Sequence, residues 1–256
     1  MRGLRLVIGI VALGCVAARA ADNGPGTLSG TVCLKGAPPA IPLVHPELDF
    51  EVCGSGMRAA QSLVLGTNQS VRDVVVYLGN VTCSDRNPTP AARAAVLNQR
   101  NCEFVPRIQI ARAGAALVIR NSDPVLHVVH VEAAKGTNAP TTLLDVATPY
   151  AGYEKRFTLA NFREPTLLRA TCGNGHVWMS AFIAVMPHPW AALTGDNGEF
   201  TLGRLPAGNY RLYAWHEVLG TLARDVQVTT NRATNVELEF TASDRPPVSD
   251  ASKRPD

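Results

Sequence analysis

The chain has 256 residues, 46% of them apolar and 18% charged, with 24 Lys and Arg against 21 Asp and Glu. That length exceeds what a single small core requires, so one large or two modest domains are expected. The near balance of charge gives no basis for a nucleic-acid partner.

Arg2 and Arg5 precede a mostly apolar run from Leu6 to Ala17, and Ala18-Arg19-Ala20 supplies a small-residue cleavage pattern before Ala21-Asp22. Residues 1–20 therefore read as a secretory signal peptide cleaved after Ala20. Its apolar run is too short to cross a bilayer, and no later stretch reaches the ~18 apolar residues of a transmembrane helix. The mature chain is expected to be periplasmic or otherwise exported, with no transmembrane segment. Ala12-Leu13-Gly14-Cys15 resembles the lipobox of bacterial lipoproteins, and a lipid anchor at Cys15 is the alternative. Cleavage takes away Arg2, Arg5 and Arg19 and no acids, which leaves 21 basic against 21 acidic side chains.

Of the six cysteines, Cys33, Cys53, Cys83, Cys102 and Cys172 lie beyond the leader. In an oxidising compartment four can pair and one is left over. Three connectivities are open, with Cys53 to Cys102 and Cys33 to Cys83 the preferred reading. Cys172 is then the odd thiol, and metal ligation would both account for it and protect it from oxidation.

Turn signals recur about every eight to twelve residues, with Val, Ile, Thr and Leu between them, which is the pattern of a β-sandwich. Expected strands run Leu28 to Leu34, Ser62 to Leu65, Val71 to Leu78, Arg107 to Ile110, Ala116 to Arg120, His127 to Glu132 and Tyr153 to Leu159. Further strands run Thr166 to Thr171, Ser180 to Met186, Glu199 to Leu202, Tyr210 to Trp215, Ala223 to Val228 and Thr234 to Phe240. Residues 83–102 form a connecting segment whose stretch Pro90 to Arg100, PAARAAVLNQR, is the one helical expectation. Residues 241–256 carry three prolines without apolar periodicity and read as a disordered tail.

After Pro187 the sequence changes character. Asp196-Asn197-Gly198 and Leu205-Pro206-Ala207-Gly208 mark two tight turns within HPWAALTGDNGEFTLGRLPAGNYRLYAWHEVLG. This segment resembles the carboxypeptidase regulatory-like domain, a small transthyretin-like sandwich. LSGTVCLKGAPPAIPL and SVRDVVVYL are similar to that family's first strands but lie at residues 28–43 and 70–78. The resemblance implies one sandwich made of residues 26–82 and 187–240, into which a module at 103–186 is inserted; a plain tandem of two domains is the rival.

The stretch TCGNGHVWM puts Cys172, His176 and Met179 within one short loop, and NSDPVLH places Asn121, Asp123 and Pro124 in a turn before His127. A mononuclear electron-transfer copper site uses two imidazoles and a thiolate with a weak axial thioether. The arrangement resembles cupredoxins, in which one histidine comes from an earlier strand end and the other three ligands from a single loop. That resemblance implies a cupredoxin Greek-key sandwich at 103–186 with His127, Cys172, His176 and Met179 holding one copper ion per chain. His130 is the alternative to His127; strand side chains alternate faces, so only one of the two should point at the loop. The spacing of the loop is similar to the second half of the CuA loop of cytochrome oxidase subunit II, but Leu168 stands where that loop has its other cysteine, so one copper is expected. Gly175 excludes a haem c attachment motif. His45, His188 and His216 read as ordinary surface or hydrogen-bonded histidines.

The whole stretch 26–240 is similar to bacterial exported proteins that combine a cupredoxin with a carboxypeptidase regulatory-like region, some labelled methylamine utilisation proteins. The resemblance implies an electron carrier working with a periplasmic redox partner protein and no enzymatic chemistry of its own. A copper trafficking or storage protein is one alternative. The other is a cell-envelope glycan-binding or adhesion module in which the loop is an ordinary turn.

Overall fold

The computed structural model describes residues 24–41, 43–60, 62–79, 81, 94–135 and 138–241. The expected leader with Cys15, the cysteine Cys83, and residues 242–256 of the expected tail lie outside them.

The protein is an all-β structure with several sheets. In one sandwich a five-stranded sheet runs in the order 138–148, 127–135, 166–172, 180–186 and 108–112. Its partner is a four-stranded sheet in the order 154–158, 116–121, 95–100 and 103–105. Their inward residues, among them Leu97, Phe104, Ile119, Val129, Val131, Leu168 and Ile183, form one buried core. Strand side chains alternate faces, so a single sequence both fills this core and meets water. Strand 95–100 alternates strictly, with Ala95, Leu97 and Gln99 inward.

That strand corrects the helical expectation for Pro90 to Arg100. Its alanines favour a helix locally, but residues 95–99 pair in parallel with 117–121, and 98–100 pair with 103–105. Burial of Leu97 in the sheet outweighs a propensity difference of at most about 0.7 kcal/mol per residue. The sandwich thus begins at Ala95, earlier than 103.

The flanking segments build a second sandwich. Strands 199–205, 26–35 and 233–241 form a three-stranded sheet, and 191–193, 75–78, 208–216 and 220–228 a four-stranded one. Leu28, Val32, Val76, Leu78, Leu212, Leu238 and Phe240 fill the space between them. The described residues therefore begin in this sandwich, build the other from 95 to 186, and return. A small cluster of Val75, Ile108, Ala184 and Met186, flanked by Tyr77 and Trp215, joins the two. At the same junction the Arg107 guanidinium donates to both oxygens of Glu217, each at 2.6 Å, and to the Ser180 hydroxyl at 3.0 Å.

Between 26–35 and 75–78 the chain leaves the second sandwich as a strap. It carries a short hairpin of 43–44 with 58–59 and a single helical turn, Phe50–Cys53. Cys53 is bonded to Cys102 of the first sandwich, 49 residues away. Among the described residues Cys33 has no disulfide partner; Cys83, its expected partner, lies outside them.

Gly30 explains the glycine-x-valine form of the first strand. A Cβ there would lie 2.0 Å from the carbonyl oxygen of Val236, its neighbour in the parallel pair 26–35 with 233–241. Backbone cannot yield as a flexible side chain can, so Gly30→Ala should cost about 2–3 kcal/mol in denaturant unfolding. Gly203→Ala, where a Cβ meets nothing within 4 Å, should stay within about 0.5 kcal/mol. Equal effects would refute the steric account.

Candidate metal centre

His127 is placed by the turn before it. The Asn121 side-chain oxygen accepts the Asp123 amide at 2.8 Å, an Asx turn, while its Nδ2 donates to the carbonyls of Val125 and Thr148 at 2.9 and 2.8 Å. All of Asn121 is buried, so these bonds also satisfy its polar atoms. The chain then enters strand 127–135 with His127, Val129 and Val131 facing the core. His130 falls on the opposite face, 30% exposed and 3.7 Å from Asp145.

Cys172 ends strand 166–172, next to the strand that His127 begins. The Gly173 amide donates to Val128 O at 2.8 Å and Asn174 Nδ2 to Leu126 O at 2.9 Å, which pins the loop to the His127 turn. Gly175 turns the loop with φ +83°, a conformation that side chains resist. His176 then folds under the surface, the Met179 amide donates to His176 O at 2.9 Å, and Trp178 Nε1 donates to Cys102 O at 2.9 Å. Met179 is buried in the same core as Cys172.

The three donor atoms converge. His127 Nδ1 and His176 Nδ1 are 3.1 Å apart, and Cys172 Sγ lies 3.8 and 3.6 Å from them. The point equidistant from atoms so spaced is about 2 Å from each, within the range of metal–imidazole bonds and slightly short for metal–thiolate. The outer nitrogens are both held by carboxylates. Asp123 lies 3.0 Å from His127 Nε2, and Asp49 of the strap 2.9 Å from His176 Nε2. A carboxylate accepts the Nε2 proton and so fixes the tautomer whose bare Nδ1 faces inward. Two bare Nδ1 atoms at hydrogen-bond distance repel unless a proton or a cation lies between them. The donor set therefore fits a soft-to-intermediate metal ion such as copper.

Charge is arranged to match. Burial works against a charged His127, but its bond to Asp123 and the adjacent Cys172 thiolate overcome that and raise its pKa to about 9. Burial likewise resists a Cys172 thiolate, yet bonding to His127, backbone groups at Val128 and Asn174, and His176 bring it down to about 7. Asp123 is destabilised by burial, but bonds from His127 and from the amides of Cys102 and Asn101 hold it below its ordinary value.

The structure thus brings His127, Cys172 and His176 into one buried group, buries Met179 in the same hydrophobic core as Cys172, and leaves His130 out. Cys53 and Cys102 form the disulfide. Of the other histidines, His45 is exposed, while His188 is buried and hydrogen-bonds Leu78 O at 2.8 Å. His216 is buried too, its Nδ1 accepting the amides of Val218 and Leu219. Sequence reasoning missed the clamping roles of Asp49 and Asp123. Asp123 stood in the recognised turn four residues from His127, a usable signal, whereas Asp49 is 127 residues from His176 and carried none.

No family model and no curated protein matches the chain. Solved structures similar to it are cupredoxins and a related enzyme, at low TM-score and partial coverage. The copper-containing nitrite reductase from Thermus scotoductus SA-01 is 18% identical over 43% of this chain, with TM-score 0.30, and the match spans 25% of that protein's length. Amicyanin from Paracoccus versutus is 18% identical over 38% of this chain and 85% of its own, with TM-score 0.28. A purple cupredoxin from Nitrosopumilus maritimus is 17% identical over 36% of this chain and 97% of its own, with TM-score 0.26. Among the described residues no helix is long and apolar enough to cross a membrane.

A depressed thiol pKa gives stability that is present above the unfolded value of 9.0 and lost as pH falls through about 7. The metal-free wild type should therefore gain on Cys172→Ser as pH rises from 6 to 8, by on the order of 1 kcal/mol. His127 acts in the opposite sense, its contribution present below 6.5 and lost as pH rises through about 9, so the gain should fade above that. Urea unfolding in chelator measures both, and a difference independent of pH would refute the ion pair.

Proposed function

We propose that the chain is an exported mononuclear copper protein that carries electrons, in which His127, Cys172, His176 and Met179 would hold the ion. The observation that carries this reading is the convergence of two carboxylate-held Nδ1 atoms and one sulfur, all buried. Bound copper would supply one-electron chemistry between Cu(II) and Cu(I). The chain's part is to hold soft and intermediate donors in a geometry that suits both oxidation states, so that little rearranges when an electron moves.

Several residues serve that end. Asp123 is itself fixed by the amides of Asn101 and Cys102 at 2.7 and 2.9 Å, so the ring it holds cannot swing. Asn174 and Gly173 tie the ligand loop to the His127 turn. His127 and His176 are fully buried and Met179 is 1% exposed, so water is kept from the donors. Four such residues around an ion would leave no position for a substrate, which favours a carrier over an enzyme. The second sandwich, whose hairpin turns resemble the carboxypeptidase regulatory-like domain, acts as the support from which the strap reaches His176. A periplasmic redox protein is the partner this chemistry requires.

One equivalent of Cu(II) added to the folded mature protein should give an intense thiolate-to-copper absorption band that disappears in Cys172→Ser. A folded wild type without that band would sink the proposal. Asp123→Ala should keep the band but weaken copper affinity about 10- to 100-fold, as removal of an outer-shell partner does; competition with a chelator reads this directly.

A further inference from the structure

Where the two sandwiches meet, their contact leaves a cleft. Val76, Leu78 and Leu212 fill the core of the second sandwich, so alternation turns Tyr77, paired with Tyr213, and Trp215, paired with Val75, outward toward the first. Beside the joining cluster lies a cavity of about 630 Å³, lined by Tyr77 and Trp215 from the second sandwich and by Phe162, Glu164 and Leu167 from the first. That size is typical of small-molecule sites, which concentrate at junctions between domains. The rings are held in place: Tyr77 stacks on Tyr213 with centres 5.4 Å apart, and Trp215 meets the edge of Phe182 at 5.0 Å.

The polar groups of the cleft lack internal partners. Tyr77 and Trp215 are partly buried, and phenol and indole groups so placed ordinarily find a hydrogen-bond acceptor. Among the described residues neither Tyr77 Oη nor Trp215 Nε1 has one, and the Glu164 carboxylate has no donor. Glu164 is also the one charge among the residues that line the cavity.

We propose that this cleft is a binding site for a neutral carbohydrate. Each competing class of ligand leaves a group unanswered. An anion is repelled by Glu164 and finds no cation on the wall. An alkylammonium suits aromatic rings beside a carboxylate, but it offers no acceptor to Tyr77 or Trp215, and a donor kept from water without a partner is costly. A sugar answers all three: its oxygens accept from both donors, a hydroxyl donates to Glu164, and its C–H faces lie on the rings. Leu167 and Cys172 stand near opposite ends of strand 166–172, about 17 Å apart at the rise of a strand. A glycan held in the cleft therefore touches none of the proposed copper ligands.

The metal-free mature chain, kept in chelator, is titrated calorimetrically with cellobiose, mannobiose, lactose and N,N′-diacetylchitobiose. At least one should bind with a Kd of about 1 mM or tighter. Tyr77→Phe, which removes a single hydroxyl, should weaken that binding about 2- to 10-fold, and Glu164→Ala by a similar factor. Trp215→Phe should weaken it further, because it removes a donor and shrinks a ring face. Circular dichroism checks the fold, and the first two variants, at a hydroxyl and an exposed side chain, decide the matter if Trp215→Phe disturbs the junction. Binding of none of the four sugars, binding unchanged in Tyr77→Phe and Glu164→Ala, or uptake of tetramethylammonium in place of sugar would overturn the carbohydrate site. None of these outcomes bears on the copper reading, which is tested separately by the band lost in Cys172→Ser.

Discussion

Two imidazoles with their Nδ1 atoms 3.1 Å apart in a buried site pose the problem that the rest of the structure answers. Neither ring can turn to water, and each must keep its Nδ1 aimed at the other. What holds them is a carboxylate behind each ring, Asp123 behind His127 and Asp49 behind His176. Burying a carboxylate is costly unless it is fully bonded. Asp123, almost wholly buried, meets that condition with two backbone amides and an imidazole. Asp49 meets it differently, by remaining 37% exposed in the side chain. The two rings are thus held by unequal means, one inside a rigid turn and one by a surface strap.

The sandwich supplies the geometry cheaply. His127 begins one strand and Cys172 ends its neighbour, so sheet hydrogen bonding alone brings them to the same edge. Only the loop 173–179 must be shaped further, and Gly175 and the two bonds to the His127 turn do that. Behind the loop, Ser180 is held by Arg107, whose other bonds go to Glu217 of the second sandwich. The ligand loop is therefore braced from beneath by the junction between the sandwiches.

Local features of this site were legible in the sequence, because local chemistry makes them. NSDP must turn, a strand opens three residues later at His127, and alternation admits only one of His127 and His130 to the core. The strands with clean two-residue periodicity, such as Gly26–Lys35, were readable for the same reason. Ala95–Arg100 was not: the alanines that lead into it speak for a helix, and only pairing with strands 103–105 and 116–121 decides otherwise. The strand 138–148 also went unread, since its outer edge position leaves most of its residues exposed and blurs the alternation. Asp49 could not have been found by any local pattern, because its role exists only after the strap has crossed to the other sandwich.

That crossing changes what counts as the candidate metal-binding unit. Strands 95–186 contain His127, Cys172, His176 and Met179, yet they do not contain the group that orients His176. Asp49 sits at the head of the turn that ends in Cys53, and its carbonyl accepts the Cys53 amide. The disulfide thereby fixes the position of a carboxylate as well as joining two segments. Without it, Asp49 would depend on a four-residue helical turn and a two-residue hairpin, neither of which is stable on its own in water. The candidate centre is in this sense built by both sandwiches: one presents the donor side chains, and the other, through the strap, sets the orientation of the second imidazole.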